Sequence, residues 1–162
     1  MIDSSHRRGA PAAIVALLGF GLAVAVVSLV GGLAAASSAQ QYASYVQPVW
    51  SPPSWLFGPV WTALYVLIAV SGWLVWRRTG LTRPAHVVYG VQLLLNMAWT
   101  PLFFGAGLVG FAFAEIVVLW VAIVATMVLF ARIDRLAAWL LAPYLAWVSF
   151  AAALNLAIWV LN

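Results

Sequence analysis

Flat aromatic side chains and amides recur at helical spacing in three apolar segments of the chain. Trp61 lies four residues before Tyr65, and Trp147 lies four residues before Ala151. Because positions i and i+4 share one face of a helix, each set forms a stripe. The stripes are Phe57, Trp61 and Tyr65; Gln92, Asn96, Trp99 and Phe103; and Trp147, Ala151, Asn155 and Trp159.

These stripes admit two interpretations. Amides can join helices by hydrogen bonds, and Trp and Tyr can form belts at the membrane surfaces. Trp61, however, lies roughly 10 Å inside its segment at about 1.5 Å per residue, and Trp147 lies near the middle of its own. Each buried indole N–H needs a partner or a ligand. The sequence therefore favours a pocket for a large, flat, mainly apolar molecule, bound by stacking and one or two amide hydrogen bonds. The belt interpretation suits the tryptophans near segment ends, which are Trp55, Trp73, Trp76 and Trp139.

Other residues that could do chemistry are few. Glu115 is the only acid well inside an apolar segment, and we expect it to be protonated and hydrogen-bonded to a neighbouring helix. His86 has no second ligand at metal-binding spacing, so no metal site is expected. Gly105, Gly107 and Gly110 match the dinucleotide-binding pattern, but no strand precedes them, and they predict a tight turn instead.

The composition is that of an integral membrane protein. Of 162 residues, 67% are apolar and 6% are charged, and there is no Cys. Ten charged residues cannot cover a soluble core, so most of the surface must face lipid. The lack of Cys excludes disulfides, thiolate metal sites and cysteine catalysis.

Five apolar runs are long enough to cross a bilayer, which takes about 20 residues. They predict an all-α, five-transmembrane-helix bundle that forms a single domain over residues 1–162. Pro59, Pro101 and Pro143 lie inside three runs and predict kinks. The predicted spans are about 12–36, 54–76, 84–104, 108–131 and 136–161.

Arginine placement predicts the orientation of the bundle. All seven arginines fall in the N-terminal segment, the second loop and the fourth loop, and none falls on the other side. The positive-inside rule then places the N-terminus in the cytoplasm. The pI of about 10.1 is thus explained by topology, and we expect no nucleic-acid partner. The arginines are Arg7, Arg8, Arg77, Arg78, Arg83, Arg132 and Arg135.

The first outer loop, about residues 37–53, is long, uncharged and aromatic. Tyr42, Tyr45 and Trp50 lie in it together with three prolines. Structured loops of this length are often lids, so we expect it to cover the membrane face of the bundle.

Three blocks of the sequence resemble the TspO/MBR family, the tryptophan-rich sensory proteins related to the peripheral-type benzodiazepine receptor. Residues 48–65 read PVWSPPSWLFGPVWTALY, residues 92–104 read QLLLNMAWTPLFF, and residues 142–155 read APYLAWVSFAAALN. Their order and separation also agree with the family, and the resemblance covers nearly the whole chain.

The resemblance implies a five-helix bundle, usually a homodimer, with a pocket beneath the first loop. Family members bind porphyrins, sterols and isoquinoline or benzodiazepine-type ligands, so a tetrapyrrole is expected as ligand and no cofactor is required. In some bacterial relatives, protoporphyrin IX is degraded in a light- and oxygen-dependent reaction, which would use Trp61 and Trp147 here. The family's pocket positions map onto Tyr42, Trp61, Asn96, Trp147 and Ala151.

The stripes and the resemblance together define the expected function. We expect a multi-pass receptor or sensor in the cell membrane, with the bacterial inner membrane favoured, that binds porphyrins or similar flat ligands. Porphyrin degradation, or transport of a tetrapyrrole or lipid, remains the alternative. The chain departs from the family in a lid without charges and in lacking the cholesterol consensus of animal members. The expected ligand-binding residues are Tyr42, Trp61, Tyr65, Asn96, Trp99, Trp147, Ala151 and Asn155.

Overall fold

The computed structural model describes residues 10–37, 39–81 and 83–162, and within these ranges every regular element is helical. The orientation prediction also uses Arg7 and Arg8, which lie outside the described residues, and the side chain of Arg83, which does too. The α-helices are α1 (Ala10–Ser37), α2 (Ala39–Ser44), α3 (Phe57–Thr79), α4 (Arg83–Thr100), α5 (Val109–Ala131), α6 (Arg135–Leu140) and α7 (Ala142–Leu161). A 3₁₀ turn at Ser54–Leu56 leads into α3, and a π-helical turn at Pro101–Gly105 follows α4.

Five membrane-spanning helices are confirmed by length and composition. They comprise Ala10–Ser37, Ser54–Thr79, Pro84–Gly105, Val109–Ala131 and Arg135–Leu161. Each differs from the predicted span by at most three residues at either end, because apolar length is set by bilayer thickness and is readable from sequence. The fifth span combines α6 and α7.

The helices pack in a closed ring around one core. α1 packs between α3 and α4, and α4 packs on α5. α5 in turn contacts α6 and α7, and these two helices also contact α3, which closes the ring. Ile68, Ile123 and Ile158 are completely inaccessible in that core. In contrast, α1 buries only Val24 and Val27, so most of its surface faces lipid.

The three prolines differ in their effect on the helices. Pro59 lies in the first turn of α3, where no intrahelical partner is needed for its missing N–H, so it breaks no hydrogen bond of the helix, and the kink there stays a prediction. Pro101 begins the π-helical turn. Pro143 follows the break at Leu141, which separates α6 from α7. The last two prolines therefore do lie at helix irregularities.

The connections are held by backbone and side-chain bonds. The predicted tight turn is confirmed at Gly107, whose φ of 64° favours glycine. At the other end of the bundle, Asp134 caps α6 by accepting from Leu136 N and Ala137 N. Its second carboxylate oxygen accepts from Nε of Arg78, so α3 and α6 are joined at that end.

Candidate ligand-binding site

The first long loop lies over one end of the bundle, where aromatic contacts hold it. We call residues 39–53 the lid. The Tyr42 ring packs 5.3 Å from Phe104 and 6.4 Å from Phe57, measured between ring centroids. Trp50 packs edge-on against Phe150 of α7 at 5.8 Å. The lid begins with α2, a helix that was not predicted from the sequence.

Beneath the lid is a cavity of about 740 Å³ bounded by α1, α3 and α4. A cavity of this size falls within the range of small-molecule sites, roughly 300–1,000 Å³. None of the described residues that line it carries a charge. The lining residues are Ser28, Gly31, Gly32 and Ala35 from α1; Tyr42, Ala43, Gln47, Ser51, Pro52 and Pro53 from the lid; Ser54, Phe57, Gly58, Trp61, Thr62 and Tyr65 around α3; and Trp99, Thr100 and Phe104 around α4.

Trp61 and Tyr65 give the cavity an aromatic wall on α3. Their rings stack with centroids 5.3 Å apart and an interplanar angle of 28°. The i, i+4 spacing of the sequence produces this stack directly, because both side chains leave the same face of the helix. Two stacked rings offer a flat surface to a flat ligand.

Two lid hydroxyls beside the cavity have no hydrogen-bond partner among the described residues. They are Oη of Tyr42 and Oγ of Ser51, and neither atom is accessible to solvent. Burial raises the pKa of Tyr42 above its usual value, so its hydroxyl stays protonated and able to donate at neutral pH. An unpaired buried hydroxyl costs free energy that a ligand acceptor would offset.

Asn96 has its hydrogen bonds inside the protein rather than in the cavity. Its Oδ1 accepts from Tyr65 Oη at 2.9 Å, and its Nδ2 donates to Tyr144 Oη at 3.0 Å. The three residues come from α3, α4 and α7. Asn96 is buried and does not line the cavity, but it fixes the hydroxyl end of Tyr65, which does.

A second amide, that of Asn155, joins α7 to α4 and α5 beside this site. Nε1 of Trp99 donates to Oδ1 of Asn155 at 3.2 Å, and Nδ2 of Asn155 donates to the Val109 carbonyl oxygen at 2.9 Å. The Trp99 ring lines the cavity while its N–H points to α7. Asn155 thus fixes the position of the Trp99 ring without lining the cavity itself.

Trp147 and Ala151 do not line the cavity in this conformation. The Trp147 ring packs edge-on against Phe57 at 5.8 Å, and Phe57 itself lines the cavity. Nε1 of Trp147 is inaccessible and has no partner among the described residues. Phe57 therefore connects the cavity lining to the Trp147 ring.

The polar atoms of two side chains that the sequence singled out are inaccessible and have no partner among the described residues. Both carboxyl oxygens of Glu115, and both polar atoms of the Gln92 amide, are inaccessible and unbonded in the described part of the chain. The expected hydrogen bond from Glu115 to a neighbouring helix is therefore wrong. Within the described residues there is also no group of three His, Cys, Asp or Glu placed to hold a metal ion.

Sequence reasoning missed three contributors to this region. Tyr144 was not singled out, although it directly follows Pro143 in a block already noted. Ser51 is a single polar residue in a proline-rich stretch, and no residue pattern there indicates a binding role. The cavity-facing side of α1 was readable from the i, i+3, i+4, i+7 spacing of its small residues, which are Ser28, Gly31, Gly32 and Ala35.

The fold and the cavity together define a class of protein. It is a polytopic α-helical membrane protein with five spans, the first three of which bound an uncharged, aromatic-lined cavity beneath a structured loop. The chain belongs to the TspO/MBR family, whose model matches residues 16–160.

Relatives from bacteria and animals carry names of the same family. The chain is 43% identical to the tryptophan-rich protein TspO of Chlorobaculum tepidum over 130 residues, which is 75% of this chain and 78% of the relative. It is 40% identical to the human translocator protein over 147 residues, covering 88% and 87% of the two chains. A tryptophan-rich sensory protein of Cereibacter sphaeroides is 38% identical over 114 residues, covering 70% and 72%.

Proposed function

We propose that this protein binds a porphyrin or a similar flat, mainly apolar molecule in the cavity beneath the lid, and acts as a membrane receptor or sensor for it. The observation that carries the proposal is the uncharged aromatic cavity of about 740 Å³ with the Trp61–Tyr65 stack in its wall. Stacking and apolar burial favour flat ring systems over extended polar ones.

The polar groups at the cavity suit a ligand with a few hydrogen-bond acceptors. The hydroxyls of Tyr42 and Ser51 are donors without partners, so a ligand carbonyl or ring nitrogen would satisfy them. Sterols and isoquinoline or benzodiazepine-type molecules have the same combination of apolar bulk and sparse polarity. They fall within the same proposal.

Trp147 and Ala151 join the site in this proposal if Phe57 turns. The Phe57 ring lines the cavity and packs on Trp147, so its rotation would open the cavity toward the Trp147 ring, whose Nε1 has no partner among the described residues. The light- and oxygen-dependent breakdown of porphyrin by Trp61 and Trp147 needs both rings at the ligand. That activity, transport, a homodimer, and location in a bacterial inner membrane all stay predictions.

Titration with protoporphyrin IX tests the proposal. Binding to the purified protein in lipid nanodiscs is followed by the shift of the porphyrin Soret band, which does not depend on the number of tryptophans left. Trp61→Ala removes one ring of the stack, and we expect Kd to rise about tenfold or more. Trp139→Ala is the matched control, because Trp139 is 72% exposed on α6 and lies outside the cavity lining.

Two results would contradict the proposal. One is the absence of any saturable Soret shift with the wild-type protein. The other is a Kd for Trp61→Ala equal to that of wild type and of Trp139→Ala, which would place the porphyrin elsewhere.

A further inference from the structure

The side chain of Asn162 binds the backbone of the lid. Its Oδ1 accepts from the Val46 N–H at 3.0 Å, and its Nδ2 donates to the Val46 carbonyl oxygen at 3.1 Å. Both backbone groups of one lid residue are therefore paired by one amide. The same Nδ2 also donates to the Ile158 carbonyl oxygen at 2.9 Å, which fixes the amide against the last turn of α7.

This pair is distinctive among the bonds that the lid makes. Gln47 Nε2 donates to the Tyr42 carbonyl oxygen, and Gln41 Nε2 donates to Tyr45 Oη, so those bonds stay inside the lid. Apart from the local turn bond from the Leu56 N–H to the Pro53 carbonyl oxygen at the start of α3, the hydrogen bonds that join residues 39–53 to α3 to α7 or their capping residues are, among the described residues, the two to Asn162. The other attachments are ring contacts, which restrain orientation less strictly than hydrogen bonds do.

Only an amide can make this arrangement. The Val46 N–H needs an acceptor, whereas the carbonyl oxygens of Val46 and Ile158 need donors, and an asparagine side chain supplies both. A carboxylate at the same position keeps the acceptor but places negative charge against two carbonyl oxygens. An alanine supplies neither group.

Val46 lies between two lid residues that contact the cavity or the helices below it. Gln47 follows it and lines the cavity, and Tyr45 precedes it and packs against Phe103 at 6.4 Å. Holding Val46 thus holds the middle of the segment that runs across the cavity, between Tyr42 on one side and Ser51 on the other.

We infer that Asn162 is a positioning residue that latches the lid over the cavity and thereby sets how fast a ligand leaves. The inference about ligand release depends on the proposed function, since it needs a ligand in the cavity. The inference about the lid itself does not, because the latch holds the lid with or without a ligand. Release should depend on the latch because a lid that opens more often exposes the cavity more often.

Amide hydrogen exchange and ligand dissociation test the latch together in nanodiscs. In Asn162→Ala we expect the Val46 amide and the other lid amides to exchange about tenfold faster, while amides of α3 and α5 keep their rates. We expect protoporphyrin IX to dissociate about tenfold faster, with an association rate equal to or above that of wild type. The exchange and dissociation rates of Asn162→Asp should resemble those of Asn162→Ala. The rates of Asn162→Gln should lie between those of wild type and Asn162→Ala, because glutamine keeps both polar groups of the amide.

The exposed lid residue Gln40 provides the matched control, and Gln40→Ala should behave as wild type. Unchanged lid exchange in Asn162→Ala would overturn the latch, and so would faster exchange throughout all helices, which would indicate general loosening. If wild type and variants all fail to bind protoporphyrin IX, the proposed function fails, while the exchange of Val46 still decides the latch.

Discussion

Asn96 joins three helices through its two buried hydrogen bonds. Replacing it with leucine of similar size leaves the hydroxyls of Tyr65 and Tyr144 unpaired in a buried site. We expect Asn96→Leu to lower the free energy of unfolding by about 1–2 kcal/mol, because buried unpaired donors are costly while hydrogen bonds within membranes are individually modest. Unfolding in mixed micelles of increasing denaturing detergent measures the change.

The single changes Tyr65→Phe and Tyr144→Phe serve as controls for that prediction. Each removes one bond and leaves Asn96 with the other, so each should cost less than Asn96→Leu. A leucine variant as stable as wild type would show that the hydrogen bonds between these helices contribute nothing net.

The uncharged lining makes a second prediction at the residue scale. Protoporphyrin IX carries two carboxylates, and the described residues that line the cavity offer them no cation. Burying an unpaired carboxylate is costly, so we expect the dimethyl ester to bind at least as tightly as the free acid. The ratio of the two Kd values is obtained by competition, in which the free acid is titrated against a fixed amount of the ester and the ester against a fixed amount of the free acid, with the Soret band as the signal. A free acid that binds tenfold more tightly would contradict this description of the cavity.

Residue types and spacing predicted part of the site. The stack of Trp61 on Tyr65 follows from helical periodicity, whereas Asn96 was expected to bind a ligand and instead has both of its hydrogen bonds to protein and lies outside the cavity lining. Nothing in the spacing could show that Phe57 packs on Trp147 while Trp147 lies outside the cavity lining, because that depends on side-chain rotamers in a packed site. Likewise, the pairing of Val46 with Asn162 joins positions 116 residues apart, which local patterns do not report.

At the scale of elements, Gly72 permits the close packing of α3 with α1 and α4. A Cβ at this position would lie 2.8 Å from Cζ of Tyr89 and 2.9 Å from ring carbons of Phe20. The Tyr89 ring cannot easily move, because its hydroxyl donates to the Ile68 carbonyl oxygen and it stacks on Phe130. We expect Gly72→Ala to lower the free energy of unfolding by about 1–3 kcal/mol, measured by detergent unfolding.

Gly90 supplies the matched control for Gly72. It too lies inside a helix, but a Cβ there would have no atom within 4 Å. Since alanine is the better helix former, Gly90→Ala should be neutral or stabilising by up to about 1 kcal/mol. Equal effects of the two substitutions would show that helix propensity, and not the crowding, decides the outcome.

Helix bounds were more predictable than helix irregularities. The spans follow from apolar length alone, whereas the effect of each proline depends on its position in the helix. Pro59 is harmless in a first turn, while Pro101 coincides with a π-helical turn. The short helix α2 was missed because its six residues, AQQYAS, are too few to show apolar periodicity.

At the scale of the whole molecule, cysteine labelling measures the orientation in the membrane. The chain contains no Cys, so single cysteines can be introduced without background. Val49 in the lid and Leu81 between α3 and α4 are both highly exposed and lie at opposite ends of the bundle. We expect a membrane-impermeant maleimide to label Val49→Cys in intact cells, and Leu81→Cys only after permeabilisation, because the arginines favour the cytoplasmic side.

The reverse labelling pattern would overturn the predicted orientation, with the lid then facing the cytoplasm. Labelling of both positions in intact cells would indicate a mixed population. The cavity and the latch would be unchanged in either case, but the compartment from which a ligand arrives would be different.

The distance in sequence between Val46 and Asn162 also bears on how the protein is made. A ribosome completes the lid, α3, α4 and α5 well before it reaches Asn162, 116 residues after Val46. The walls of the cavity come from α1, α3 and α4, so they can assemble in the membrane while the lid still lacks its partner on α7. Until the last helix is inserted, the nascent chain therefore lacks the hydrogen bonds between Val46 and Asn162, and the lid depends on the ring contacts of Tyr42 and Tyr45 with residues of α3 and the turn after α4.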